Sequence, residues 1–237
     1  YAIAGQHKQA LADFKAVIRI RPTFANGWFN RAEVYRELGN LQGAITDYSE
    51  AIRLAPSDAA FYHARATVLS QTGKIKEAAK DLDRALRINP RFVEAFVDRG
   101  DVRVQLGRYQ EAVDDYRAAL HGDPRYGPAY RSLAWLMATC PVERFRDTQR
   151  GVAAARKALA LLGQNDHSSL EVLAAAQANA GDYQEAVANQ TRALIVIREQ
   201  ASAGQLELAE ERLGRYQEGV PYRQELVAAR PDHSPRQ

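Results

Sequence analysis

Ala25–Asp58 reads ANGWFNRAEVYRELGNLQGAITDYSEAIRLAPSD, and its 34-residue pattern recurs without a gap in Ala59–Phe92 and Val93–Tyr126. The three copies share an aromatic residue at position 4, glycine at 15, alanine at 20 and 27, and proline at 32. These columns are Trp28, Tyr62, Phe96; Gly39, Gly73, Gly107; Ala44, Ala78, Ala112; Ala51, Ala85, Ala119; and Pro56, Pro90, Pro124. A fixed period of this length indicates a stack of identical supersecondary units.

Each copy predicts two helices joined by a tight turn. Trp28, Ala32 and Tyr35 follow helical spacing, and the glycine at position 15 ends the first helix because it tolerates the left-handed conformation. The proline at position 32 stops the second helix. The alanines let the two helix backbones approach closely. One such hairpin cannot bury its apolar face alone, so the hairpins must stack.

These columns resemble the tetratricopeptide repeat (TPR) family, which also has a small residue at position 8 and an aromatic residue or leucine at 24. The residues at these two positions are Ala32, Ala66, Gly100 and Tyr48, Leu82, Tyr116. The resemblance implies an all-α fold, a right-handed α-solenoid, or superhelix, of stacked helix-turn-helix repeats. It also implies that the first helix of each repeat lines a concave groove, where a TPR protein holds a peptide or a partner protein.

The register extends in both directions, so we expect a single solenoid domain over residues 1–237. The chain begins inside a helix and without Met, which favours part of a longer protein. The expected segments are a half repeat at 1–24, repeats at 25–58, 59–92, 93–126, 127–166 (with an insertion) and 167–200, and a capping helix with a tail at 201–237.

The fifth repeat departs from the pattern. Cys140 and Pro141 replace the glycine turn, five residues are inserted, and Asp147 is expected to cap the delayed second helix. The stretch Ala134–Asp147 resembles a turn variant of bacterial TPR regions. Near the end, Gln205–Gln217 predicts one more helix. Whether residues 214–231 form a seventh repeat stays open, although Pro221 favours a cap followed by a tail.

Composition and motifs argue against chemistry within this chain. There is no apolar run long enough to span a membrane and no visible signal peptide, and a cytoplasmic location is expected. The five histidines lack metal-ligand spacing, and no phosphate loop or nucleophile motif occurs. Cys140 is interpreted as a turn residue. We therefore expect no enzyme activity, no cofactor and no metal. A net charge of +3 would be compatible with binding nucleic acid, but several arginines recur in a column that has a structural explanation, so we do not expect a nucleic-acid partner.

Two charged columns repeat with the same period. Position 7 holds arginine and position 23 holds aspartate, which predicts a structural ladder of Arg–Asp pairs between neighbouring helices. The pairing within a repeat and the pairing between repeats both remain open. The ladder residues are Arg31, Arg65 and Arg99 with Asp47, Asp81 and Asp115.

The resemblance places positions 2, 5, 6, 9, 12 and 13 of each repeat in the groove. The candidate binding residues are Asn26, Phe29, Asn30, Glu33, Arg36, His63, Thr67, Ser70, Val97, Asp98, Asp101, Arg131 and Trp135. Phe29, Val97 and Trp135 are expected as apolar anchors, and the carboxylates favour a basic ligand. The alternative for Phe29 and Trp135 is packing against neighbouring side chains.

Two known ligand-binding patterns of the family are absent. The chaperone-tail clamp would need Lys and Asn where this chain has Phe29 and Glu33, and Lys and Arg where it has Glu94 and Asp98. The asparagine ladder of the glycosyltransferase type is reduced to Asn30. The sequence therefore predicts a protein–protein interaction scaffold that binds a peptide or partner segment with an apolar anchor and basic character. The alternatives are a regulatory arm of a larger multidomain enzyme and a self-associating module.

Overall fold

The computed structural model describes residues 2–200 and 203–225, and regular structure in these ranges is helical. The α-helices are α1 (Ala2–Ile20), α2 (Ala25–Glu37), α3 (Leu41–Leu54), α4 (Ala59–Gln71), α5 (Ile75–Ile88), α6 (Val93–Gln105), α7 (Tyr109–Gly122), α8 (Gly127–Thr139), α9 (Thr148–Leu162), α10 (His167–Asn179), α11 (Tyr183–Gln200) and α12 (Ala203–Gln217). A 3₁₀ helix spans Glu143–Phe145.

Consecutive helices pack as antiparallel hairpins, with α2 on α3, α4 on α5, α8 on α9 and α10 on α11. The first helix of each hairpin begins at the residue that opens a predicted repeat: Ala25, Ala59, Val93, Gly127 and His167. The predicted all-α class of stacked helix-turn-helix repeats is confirmed.

The glycines at position 15 make the turns. Gly39 has φ +75° and Gly73 has φ +77°, in the left-handed region. After α2, the Asn40 amide donates to the Tyr35 carbonyl at 2.8 Å and the Gly39 amide donates to the Arg36 carbonyl at 3.0 Å. This pair of hydrogen bonds is a Schellman motif, which satisfies carbonyls that the helix end would leave unpaired.

The alanine columns lie where the helices touch. In the second and third repeats the alanines at positions 8, 20 and 27 have no exposed surface, and the same holds at positions 20 and 27 of the fourth. These residues are Ala32, Ala44, Ala51, Ala66, Ala78, Ala85, Ala112 and Ala119. A larger side chain at these contacts would separate the helix axes, which is why the period retains alanine.

The chain packs as two compact units, Tyr1–Val102 and Arg103–Gln237, which we call unit 1 and unit 2. In unit 1 the core contains Tyr48, Phe61 and Tyr62 between α2, α3 and α4. In unit 2 a continuous core joins α8 to α12. The prediction of a single domain over 1–237 stays a prediction.

The insertion of the fifth repeat lies in unit 2 between α8 and α9. Cys140 is fully buried, and its carbonyl accepts a hydrogen bond from Arg146 Nη1 at 2.9 Å. Phe145 packs against Tyr109 with ring centroids 5.6 Å apart. The Asp147 side chain accepts a hydrogen bond from the Arg150 amide at 2.9 Å, so the predicted cap of α9 is confirmed.

The last described helices, α11 and α12, depart from the regular repeat. Helix α11 has 18 residues, whereas α3, α5 and α7 have 14 each, so the repeat is one turn longer. Helix α12 ends in the same motif as the first helices, with Gly219 at φ +71° and the Val220 amide donating to the Arg215 carbonyl at 2.8 Å. Residues 221–225 are not helical. The predicted tail beyond them lies outside the described residues.

Candidate partner-binding surfaces

The candidate residues of unit 1 lie on α2, α4 and α6. We call this surface the unit-1 face, and its members are Asn26, Phe29, Asn30, Glu33, Arg36, His63, Thr67, Ser70, Val97, Asp98 and Asp101. Asn26 and Asn30 are exposed. Val97 is 4% exposed, so it belongs to the core and offers almost no surface to a partner. The expectation of an apolar anchor at this position therefore needs correction.

Phe29 is half-buried in an aromatic cluster. Its ring stacks on Phe61 with centroids 4.8 Å apart and lies 5.6 Å from the ring of Tyr48. Such ring pairs contribute about 0.5–1.5 kcal/mol beyond their buried area. Phe29 thus contributes to packing between α2 and α4, while part of its ring stays accessible. Packing against neighbours and serving as an apolar anchor are therefore compatible roles for this side chain.

A buried tyrosine organises the charges next to Phe29. The Tyr48 hydroxyl donates a hydrogen bond to Glu33, and Arg36 Nη2 donates to the same carboxylate at 2.8 Å. Burial raises the pKa of Tyr48, so its hydroxyl remains a neutral donor. The hydrogen bond to Glu33 raises the pKa of Arg36. The Glu33 carboxylate is therefore held in one orientation at the edge of the face, with its charge largely compensated.

His63 links two successive repeats. Its Nε2 lies 2.8 Å from Asp98 Oδ2, and its ring packs against Phe92 with centroids 4.7 Å apart. His63 holds position 5 of its repeat and Asp98 holds position 6 of the next, so two of the candidate positions on successive first helices contact each other. Thr67 donates to the His63 carbonyl at 3.1 Å within α4, which turns its hydroxyl toward its own helix.

Arginine–aspartate pairs join the two helices of single repeats. Arg31 donates from Nε and Nη2 to the two oxygens of Asp47 at 2.6 and 2.8 Å. Arg65 makes the same bidentate contact with Asp81 at 2.7 and 2.8 Å. The hydrogen bonds to Asp47 and Asp81 raise the pKa of Arg31 and of Arg65. Both contacts lie within a repeat, which is one of the two arrangements that the sequence left open.

The ladder also branches. Arg65 Nη1 donates to Ser49 Oγ of the preceding repeat at 2.9 Å, so this side chain of α4 links its own helix to α3 and α5. Arg99 donates to Asp83 at 2.8 Å. Asp115 accepts from Arg103 at 2.6 Å, one helical turn beyond the arginine that the column identifies. The expected pairing of Arg99 with Asp115 stays a prediction.

Unit 2 contains the two remaining candidates. Arg131 lies 3.6 Å from Asp166, which caps α10. Trp135 is half-buried, because Tyr222 packs 5.8 Å from its ring and the Arg212 guanidinium lies 5.0 Å from its ring centroid. Trp135 therefore packs against neighbouring side chains, which is the alternative that the sequence analysis gave for it. Tyr222 and Arg212 had no signal in the repeat columns.

Chemical groups are sparse in the described part of the chain. Residues 2–200 and 203–225 contain no group of three or more His, Cys, Asp or Glu side chains placed to hold a metal ion. Burial raises the pKa of Cys140, which keeps its thiol protonated and inert. Across the same residues, no helix is both long and apolar enough to cross a membrane.

Family models match the centre of the chain. A model described as "TPR repeat" matches residues 32–73, and one described as "Tetratricopeptide repeat" matches residues 63–127. No curated protein matches the sequence.

Solved structures of TPR proteins share the fold at low sequence identity. PilW, described as a widely conserved type IV pilus biogenesis factor, is 17% identical, with TM-score 0.70 over 89% of this chain and 93% of that one. Cut9–Hcn1 of the APC/C hetero-tetramer is 17% identical, with TM-score 0.74 over 91% of this chain and 41% of that one. YrrB, described as a TPR protein with an unusual peptide-binding site, is 17% identical, with TM-score 0.58 over 84% and 97%.

Proposed function

Because this chain is built from tetratricopeptide repeats and so belongs to that family, we propose that it is a protein-interaction scaffold that binds a partner segment on the unit-1 face. The segment has an apolar side chain that packs against Phe29 and basic side chains that meet the carboxylates. The mechanism is docking of preformed surfaces without a chemical step.

The contact between His63 and Asp98 is the observation that carries this proposal. It joins groove positions of two successive first helices, and the stacking of Phe29 on the core residue Phe61 joins the first helices α2 and α4. Side chains of three consecutive repeats therefore contribute to one surface. A surface made by several repeats suits an extended segment, because each repeat can contact a different residue of it.

The charge of the face sets the expected chemistry of the partner. Five carboxylates lie at groove positions of α2 and α6, namely Glu33, Glu37, Glu94, Asp98 and Asp101. One arginine, Arg36, lies among them and is engaged with Glu33. The excess of negative charge favours basic segments and disfavours acidic ones, chiefly through the rate of association.

YrrB, the TPR protein described with an unusual peptide-binding site, supports the proposal at the level of architecture. At 17% identity the likeness concerns the fold, so the specificity of this chain must come from its own side chains.

The test is binding of fluorescent peptides that share one aromatic residue and differ in flanking charge. Basic peptides are expected to bind more tightly than acidic ones, and the difference should shrink as salt is raised. Glu94→Gln removes an exposed charge at a groove position of α6, the helix that carries Asp98 and Asp101 of the face, and should weaken binding of the basic peptide about two- to fivefold at low salt.

The matched control is Glu77→Gln, which removes an exposed carboxylate from α5 in the same unit. Equal effects of the two substitutions would mean that net charge, and not this surface, governs binding. Preference for acidic peptides would contradict the proposal.

A further inference from the structure

In unit 2 a non-helical segment of the chain itself packs against the first helices of two successive repeats. Helix α12 ends at its glycine turn as a first helix does, but the chain then continues as a non-helical segment, Pro221–Glu225, which we call the strap. The strap packs against α8 and α10, the first helices of the fifth and sixth repeats. It therefore lies on the positions where the family resemblance places a ligand.

The strap completes the hydrogen bonding at the end of α8. The Leu136 and Met137 carbonyls accept from the amides of Cys140 and Asp147, at 3.0 and 3.1 Å. The strap supplies donors for the next two carbonyls, which come from the last two residues of the helix. Arg223 Nη1 donates to the Ala138 carbonyl at 3.0 Å, and the Gln224 amide donates to the Thr139 carbonyl at 2.9 Å.

These acceptors form a site for a cation and an extended backbone. The carboxyl end of a helix carries partial negative charge, and Arg223 adds a positive charge there. The same guanidinium donates from Nη2 to Asn179 Oδ1 at 2.7 Å, at the end of α10. Arg223 thus bridges the ends of two successive first helices, while the Gln224 amide forms a main-chain bond of the kind that any peptide could make.

An aromatic pocket precedes this site. The Tyr222 ring lies 5.8 Å from Trp135, and the Arg212 guanidinium lies 5.0 Å from both ring centroids. Arg212 is fixed from the other side by Glu171, whose carboxylate it meets at 2.6 Å. The pocket therefore accepts a flat ring, and the residue after the ring reaches the helix ends.

We propose that α8 and α10 form a peptide-binding site for a segment with an aromatic residue followed by arginine, and that the strap occupies this site in cis. A partner segment of the same chemistry must displace the strap, so the site is autoinhibited. This proposal concerns unit 2 and stands apart from the proposed function of the unit-1 face.

Polar groups around the strap favour exchange. Tyr216 Oη, Arg215 Nε and Gln224 Oε1 are buried and have no hydrogen-bond partner within the described chain. Of these atoms Gln224 Oε1 belongs to the strap, and its unsatisfied hydrogen-bonding capacity opposes the bound state of the strap. Because the strap is part of the same chain, its effective concentration at the site is high. A competing segment therefore binds weakly unless the contacts of the strap with α8 and α10 are weakened.

The experiment uses the full chain with Trp28→Phe, which leaves Trp135 as the single tryptophan. The probe is an acetylated and amidated peptide with the sequence of residues 218–225. Tyr222→Ala together with Arg223→Ala in the protein should empty the site, and the peptide should then bind at least tenfold more tightly than to the parent chain. Trp135 fluorescence reports the binding. A peptide with alanine in place of Arg223 should bind at least tenfold more weakly to the emptied protein.

Glu225→Ala is the matched control, because this strap side chain is exposed and the substitution should leave peptide binding as in the parent. Absence of binding to the emptied protein, with its helical circular dichroism retained, would overturn the proposal. If that variant loses helicity, hydrogen exchange of the Gln224 amide in the parent chain decides: excess peptide should accelerate it, and an unchanged rate would contradict displacement. A dimeric parent that becomes monomeric with Tyr222→Ala and Arg223→Ala would place a second copy's strap on the site instead and refute occupation in cis.

Discussion

The bidentate pair Arg65–Asp81, like the pair Arg31–Asp47 of the preceding repeat, should contribute substantially to stability because both partners are largely buried. The Asp81 side chain is 10% exposed and the Arg65 side chain 22% exposed. Replacing Asp81 by alanine removes two charge-assisted hydrogen bonds and leaves the guanidinium with Ser49 as its remaining partner. Breaking a fully buried pair costs about 3–5 kcal/mol. Because part of Arg65 can be hydrated, we expect a loss of about 2 kcal/mol for Asp81→Ala.

A second arginine–carboxylate pair in unit 1, Arg53–Glu50, has similar hydrogen-bond geometry but is exposed, so comparing the two pairs tests the effect of burial alone. Arg53 contacts Glu50 through bonds of 2.6–3.0 Å, a geometry like that of Arg65 with Asp81, but its side chain is 66% exposed. Solvent screening should reduce this coupling below what an unfolding experiment resolves. For Arg65 and Asp81 a double-mutant cycle with Arg65→Met and Asp81→Ala should give a coupling of about 1.5 kcal/mol.

The assay is urea unfolding of the full chain in a Trp135→Phe background, followed by the fluorescence of Trp28 in unit 1. Urea is preferred to guanidinium chloride because the latter would screen the charges. Coupling energies are compared only where the dependence on urea is unchanged. A coupling for Arg65–Asp81 no larger than that for Arg53–Glu50 would refute the argument that burial, and not bidentate geometry alone, makes this contact strong.

Three further predictions follow from glycine, alanine and cysteine positions. At Gly73 a new Cβ would meet open space, but the backbone has φ +77°, so Gly73→Ala should destabilise the protein by about 1 kcal/mol in urea unfolding. Gly214 lies inside α12 and is equally unobstructed, so Gly214→Ala should stabilise the protein by about 0.5–1 kcal/mol. Ala78→Leu, at a fully buried helix contact, should lower stability by about 1–3 kcal/mol, and an unchanged melting temperature would mean that the contact is loose. Cys140, fully buried with a raised pKa, should react with iodoacetamide at least about tenfold more slowly in the native chain than in urea, and equal rates would contradict its burial.

Much of the fold could be read from repeated local signals. Glycine at position 15 and alanine at positions 20 and 27 act through backbone conformation and side-chain size, which are properties of the residue itself. Asp147 was identifiable as a cap for the same reason. The length of α11 was harder to predict. The repeat columns stop after Ile197, and no glycine or proline marks the end of a helix before Gly204.

The candidate surfaces were predicted less completely. Helical position identified Phe29, His63 and Asp98 as neighbours of a shared face, and the structure brings His63 and Asp98 into contact. Position alone did not distinguish an exposed from a buried side chain, so Val97 was expected as an anchor although it is in the core. The fraction of a side chain that remains exposed depends on what packs against its helix from other repeats.

Periodicity alone specifies the hairpins, their turns and the residues at which each helix begins, because these depend on interactions within about one repeat. The covering of Trp135 by Tyr222, 87 residues later in the chain, is decided only when α12 has packed and directed the strap across α8 and α10. Arg65 contacts Asp81, which the repeated columns offered as a partner, but its second contact, with Ser49 of the preceding repeat, had no signal in the sequence. Contacts of this kind join segments that no local rule relates, and so they belong to the tertiary structure.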